Sequence, residues 1–200
     1  MTRRIALLGG TFDPLHLGHL AMAEAARRAA EADVVFVPTA RNPLKRDEPS
    51  VSAEDRYEMV RRALYAAPGM RACRIELDRD GPSYTVDTLA AFSADGVELS
   101  LVLGADALAD LPRWHEPARV LELAALLVAR RPGAPEPDLA GVRALSREAR
   151  VQVLDVPLVD LSSRELRAHA RARGSLRYLV PEPAWRYMVD KRLYGQVERR

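Results

Sequence analysis

Short apolar runs alternate with helix-like stretches along the whole chain, and no other feature of the sequence limits the fold as strongly. The runs at 4–8 (RIALL), 33–38 (DVVFVP), 71–77 (RACRIEL), 98–104 (ELSLVLG), 124–131 (AALLVARR) and 151–156 (VQVLDV) read as strands. Helical stretches lie between them at 17–30, 56–67, 84–92, 107–124 around Pro112, and about 139–148. Ser52 with Asp55, and Ser162 with Glu165, form capping-box patterns at helix starts; the second helix runs to about Arg173. A last helix, 181–194, has proline near its start. In the second helix, Tyr57, Val60 and Leu64 share the expected inward face. Strand, helix, strand with short connections is the βαβ pattern. It predicts a doubly wound α/β fold with a mostly parallel sheet, helices on both faces and right-handed crossovers. The last helices are a small C-terminal addition, and residues 1–200 form one domain.

Composition narrows the partners. The 200 residues carry 30 basic and 28 acidic side chains, so a net charge of +2 demands neither nucleic acid nor a membrane surface. Hydrophobic residues make up 48%, enough for a core, yet no uninterrupted apolar run approaches the ~18 residues of a membrane span. The apolar run after Arg3 and Arg4 is too short for a signal sequence, and Cys73 is the only cysteine. The expected location is the cytoplasm.

The opening stretch, Gly9-Gly10-Thr11-Phe12-Asp13-Pro14-Leu15-His16-Leu17-Gly18-His19, follows the first strand and enters the first helix. In an open α/β sheet, ligands bind beyond the carboxyl ends of the strands. Glycines there permit a tight turn and close approach of backbone to a ligand. The helix that follows offers free N–H groups and the positive end of its dipole. His16 and His19 are spaced to lie on one side of that helix. The residues alone leave a phosphate site, structural packing and a metal site open. The motif is neither G-x-G-x-x-G nor a P-loop. The other metal candidates, Cys73, His115 and His169, sit in unrelated contexts.

The stretch resembles the signature of the HxGH nucleotidyltransferase superfamily. Leu161-Ser162-Ser163-Arg164-Glu165-Leu166-Arg167 resembles a second signature of the same superfamily, with Arg164 where threonine is usual. Nearly the whole chain is similar to the bacterial nicotinate-nucleotide adenylyltransferases. The closer marks are PSYTVDTL at 82–89, LGAD at 103–106, the Trp114 region, ARRPG at 129–133 and the C-terminal RLYG. The resemblance implies a Rossmann-like nucleotidyltransferase fold. It also implies transfer of AMP from ATP to nicotinate mononucleotide, with Mg2+ carried by the ATP phosphates and no metal ligand assigned to the protein. A homo-oligomer is compatible with it.

The resemblance also distributes roles. His16, His19 and Arg167 are the implied catalytic residues. Gly9, Gly10, Thr11, Phe12, Gly104, Asp106, Ser162 and Ser163 are the implied ATP contacts. Lys45, Tyr84, Thr85, Trp114 and Arg130 are the implied mononucleotide contacts, Trp114 as a stacking ring. In the segment Asn42-Pro43-Leu44-Lys45, leucine stands where the family usually has histidine, so Leu44 receives no role.

Overall fold

The computed structural model describes residues 2–44, 49–130, 136–157 and 159–197. Its strands are β1 (Arg3–Gly10), β2 (Asp33–Pro38), β3 (Met70–Ala72), β4 (Val97–Gly104), β5 (Ala125–Arg130) and β6 (Val151–Asp155). Its α-helices are α1 (Leu17–Ala30), α2 (Ala53–Ala63), α3 (Thr85–Phe92), α4 (Ala105–Asp110), α5 (Pro117–Leu123), α6 (Ala140–Leu145), α7 (Ser163–Arg171) and α8 (Glu182–Asp190). The strands form one six-stranded sheet in the order β3-β2-β1-β4-β5-β6. Every pairing is parallel. The strand order reverses at the β1/β4 boundary, which is where open α/β sheets bind ligands.

Alternation along each strand splits the core in two. Ile5 and Leu7 of β1 join Val35, Leu101 and Val128 on one face, with Leu89 of α3 and Val120 of α5 packed against them. Ala6 and Leu8 point the other way, to Phe36, Leu127 and Ala129, with Ala23 and Ala26 of α1 and Val60 of α2. A third cluster joins Met59 of α2 to Leu166 of α7 and to Leu176, Trp185 and Met188, so the C-terminal helices dock on α2.

The expected elements are present, with corrections at their ends. The third strand is three residues long, not 71–77. Cys73 N–H still bonds Phe36 O, at 2.8 Å, but Leu77 and Asp78 donate to Arg74 O at 2.8 and 3.0 Å, and the chain turns. The 107–124 stretch divides into α4, a 3-10 turn at Leu111–Arg113 and α5. The polar helix expected over 139–148 is α6, six residues long, and the last helix stops at Asp190 because Arg192 adopts φ 55°. On α2, Val60 and Leu64 are buried as expected, but the most enclosed neighbours are Arg56 and Met59 rather than Tyr57. Of each expected capping box the serine N-cap half forms. Ser52 and Ser162 accept the N–H of Asp55 and Glu165, at 3.1 and 3.2 Å.

Candidate active site

The opening motif is a loop from the carboxyl end of β1 to the N-terminus of α1, at the switch point of the sheet. Phe12 takes a left-handed φ of 50°. A non-glycine residue there costs about 1–2 kcal/mol, so its surroundings must hold it. Its ring is 1% exposed, set 5.0 Å from the His19 ring and 5.7 Å from Phe36. A Cβ on Gly10 would stand 3.0 Å from that ring, so the small residue lets Phe12 fold back over the strand end. A Cβ on Gly18 would come within 3.0 Å of His16 Nδ1. The glycine between the two histidines is therefore what allows the His16 ring its place. Gly9 and Gly104 have nothing within 4 Å of their Cβ positions; they are open glycines at the ends of neighbouring strands.

His16 is the N-cap of α1 in extended geometry, buried, and its ring lies 3.8 Å from that of His19, tilted by 35°. The His16 backbone N–H donates to His19 Nδ1 at 3.2 Å. That assigns Nδ1 as the acceptor, so in the neutral ring Nε2 carries the proton and is the donor. Leu17 N–H donates to Leu179 O at 3.2 Å and His19 N–H to His16 O at 3.0 Å, so this helix end offers an anion chiefly its dipole and the imidazole.

The distant serine-rich motif meets this loop directly. Ser163 Oγ donates to Pro14 O at 2.9 Å, and Arg167 Nη1 donates to Asp13 O at 2.6 Å. Ser162 caps α7, and its hydroxyl lies 2.6 Å from Glu165 Oε2. The two signatures thus form one site, with α7 bracing the loop between the histidines and the sheet.

Three residues of this brace carry no role from the sequence. Asp13 is 3% exposed and accepts from Ser50 N–H at 2.8 Å and from Tyr194 Oη at 2.6 Å. Arg56 is 1% exposed; its Nη1 donates to Thr11 O and Thr39 O, each at 2.7 Å. Burial pushes Arg56 below the ordinary arginine range, while Asp13 and Tyr194 work against that shift. Burial, followed by the Asp13 charge, drives the Tyr194 phenol well above its usual range, so it remains a donor to Asp13. The available signals were positional: Arg56 lies one turn before Val60, on the buried face, and Tyr194 belongs to the RLYG mark.

The other expected contacts lie on separate elements. Gly104 caps α4, and Asp106 lies exposed in its first turn. Tyr84 caps α3, and Thr85 opens it. Tyr84 takes its ring contact from His115, with centroids 4.3 Å apart, a neighbour the sequence reading did not use. Trp114 is half-buried against the core under α3 and α5. Arg130, on β5, is engaged by Glu136 at 2.6 Å and Asp155 at 2.5 Å. Lys45 falls outside the described residues. Among the described residues, no group of three or more His, Cys, Asp or Glu side chains is placed to hold a metal ion.

Comparison with known proteins gives one consistent picture. The Cytidylyltransferase-like family matches residues 7–169. A curated protein of Roseiflexus sp. (strain RS-1), named "Probable nicotinate-nucleotide adenylyltransferase", is 43% identical over 194 residues, covering 95% of this chain and 97% of its own. One of the same name from Symbiobacterium thermophilum is 39% identical over 200 residues, covering 96% and 95%. Among solved structures, the Plasmodium falciparum nicotinic acid mononucleotide adenylyltransferase complexed with NaAD is similar in fold. The TM-score is 0.76 at 15% identity, over 96% of this chain and 98% of that one.

Proposed function

This chain belongs to the Cytidylyltransferase-like family, alongside the nicotinate-nucleotide adenylyltransferases, and from that membership we propose how its residues carry out the reaction. The adenylyl group of ATP passes to nicotinate mononucleotide, giving nicotinate adenine dinucleotide and pyrophosphate in NAD biosynthesis. An oxygen of the mononucleotide phosphate forms a bond to the α-phosphorus. The bond from that phosphorus to the bridging oxygen breaks, and pyrophosphate leaves with the electron pair. The attacking group is already anionic near neutral pH, since a phosphomonoester has a second pKa of ~6. No protein nucleophile or general base is required. The protein aligns two anions and spreads the charge that develops between them.

The observation that carries this reading is the joining of the two signatures: His16 and His19 at the N-terminus of α1, on a loop gripped by Ser163 and Arg167. His19 Nε2 donates to the phosphoryl oxygens as charge builds, and His16 fixes the orientation of that ring through its backbone. Gly9 and Gly104 leave room for ATP to approach the backbone at the strand ends. Gly10, Thr11, Phe12, Asp106, Ser162 and Ser163 complete the ATP side. Arg167 holds the loop and adds positive charge to the phosphate end. Mg2+ supplied with ATP would neutralise charge on the leaving pyrophosphate, and no residue of this chain is assigned to hold it. Tyr84, Thr85, Lys45, Trp114 and Arg130 serve the mononucleotide side, where the α3 N-terminus favours a carboxylate over a neutral amide. We place the protein in the cytoplasm. Among the described residues no helix is long and apolar enough to cross a membrane.

Purified protein given Mg-ATP is expected to release pyrophosphate with nicotinate mononucleotide, and more slowly with the amide analogue. Release with phosphopantetheine but not with the mononucleotide would overturn the assignment. Trp114→Ala is expected to raise KM for the mononucleotide by about tenfold, the scale of one lost ring stack, with KM for ATP little changed. Equal losses for both substrates would count against a stacking role.

A further inference from the structure

We propose that Glu76 is a positioning residue for the mononucleotide half of the site, holding the first turns of α3 through Thr88. The inference rests on the function proposed above. The turn that ends β3 early is what brings this side chain inward: Leu77 and Asp78 bond back to Arg74 O, and Glu76 is 6% exposed. A buried carboxyl is costly unless hydrogen bonds compensate it. Thr88 Oγ1, in α3, lies 2.9 Å from Glu76 Oε1 and donates to it. That hydroxyl has a single proton, so its 3.4 Å approach to Tyr84 O is secondary.

Burial raises the Glu76 pKa, and Thr88, Ser83, Arg79 and Thr39 draw it back down. Thr39 follows β2, in the loop leading to Asn42 and Leu44. Ser83 precedes Tyr84, the N-cap of α3. Ser83 and Arg41 are already stitched together: Ser83 N–H donates to Arg41 O at 2.9 Å, and Arg41 N–H to Ser83 Oγ at 3.3 Å. Thr88 lies one turn beyond Tyr84, so its bond to Glu76 fixes the helix end that follows this seam. Glu76 thus holds the α3 end of the mononucleotide side, while Arg56 holds both the ATP loop at Thr11 and the loop after β2 at Thr39.

Glu76 is bonded to α3 rather than to the ATP loop, which makes the role measurable. Glu76→Ala is expected to raise KM for nicotinate mononucleotide by about tenfold, the effect of one buried hydrogen bond, with KM for ATP within about twofold of wild type. Glu76→Gln keeps an oxygen acceptor for Thr88 at nearly the same volume, and it is expected to restore most of the affinity. Thr88→Val removes the same bond from the other side and is expected to shift the same constant. It decides the matter if Glu76→Ala fails to fold. Equal changes in both KM values, or an unchanged mononucleotide KM in folded Glu76→Ala and Thr88→Val, would overturn the inference while leaving the reaction intact. A wild-type protein that releases no pyrophosphate with the mononucleotide would overturn the function itself, and this inference with it.

Discussion

His19→Ala is expected to lower kcat by about two to three orders of magnitude, the effect of deleting one donor aimed at developing charge, while the chain still folds. The ring lies one turn into α1, and the His16 backbone N–H on Nδ1 fixes it as an Nε2 donor. A bond that strengthens only as the phosphoryl group passes between oxygens lowers the barrier without tightening ground-state binding, so kcat falls more than KM rises. The fold should survive because His19 is only half-buried and alanine is the best helix former. Steady-state rates with Mg-ATP and nicotinate mononucleotide, beside a thermal melt, separate the two effects. A folded variant within about threefold of the wild-type rate would remove His19 from the chemistry, since one such donor should be worth far more.

The largest stability loss is expected at Arg56, which touches no substrate in this scheme. Its guanidinium holds Thr11 O and Thr39 O at 2.7 Å each and lies in the field of the buried Asp13 carboxylate. Arg56→Ala leaves two carbonyls of the active-site layer without that donor, opens a cavity and removes one of the two cations near the buried Asp13 carboxylate, Arg167 at 3.7 Å being the other. Breaking a buried charge arrangement from one side costs about 3–5 kcal/mol. At about 2–4 °C per kcal/mol for a chain of this size, the melting temperature should fall by roughly 10 °C. Arg56→Lys should recover only part of the loss, because an ammonium lacks the planar fork that reaches several carbonyls at once. Denaturant titration measures this directly. A folded alanine variant within about 0.5 kcal/mol of wild type, the range of ordinary surface changes, would show that the guanidinium is not the anchor the geometry indicates.

These two residues differ in how far the sequence betrays them. His19 sits in a compact motif whose glycines, strand and helix are all local, so its surroundings can be read from neighbours along the chain. Arg56 looks like one more charged residue on a helix with many of them. Only its spacing to Val60 marks it as inward-facing, and nothing local says that two carbonyls from separate loops wait for it. The same holds for Asp13, whose bonds reach Ser50 and Tyr194, and for Glu76, whose stretch RIEL has the composition of a strand. A three-residue β3 at the edge of the sheet could not be read from propensity, because Arg74 O receives its bonds from the turn instead.

What the sequence by itself determined was the alternation, and with it the parallel sheet, the helices on both faces and the placing of Gly9-Gly10 and the two histidines at a strand's carboxyl end. Those follow from local periodicity, since a buried strand and an amphipathic helix each write their burial into consecutive residues. The tertiary structure alone decided which distant groups meet. It set β4 beside β1 so that Gly104 faces the same crevice. It brought Ser163 and Arg167 onto the backbone at Pro14 and Asp13, and it buried Arg56 against Thr11 and Thr39 and Glu76 against Thr88. Such pairings are selected by the packing of whole elements and by the need to satisfy buried polar groups, and those demands appear only once the chain has closed on itself.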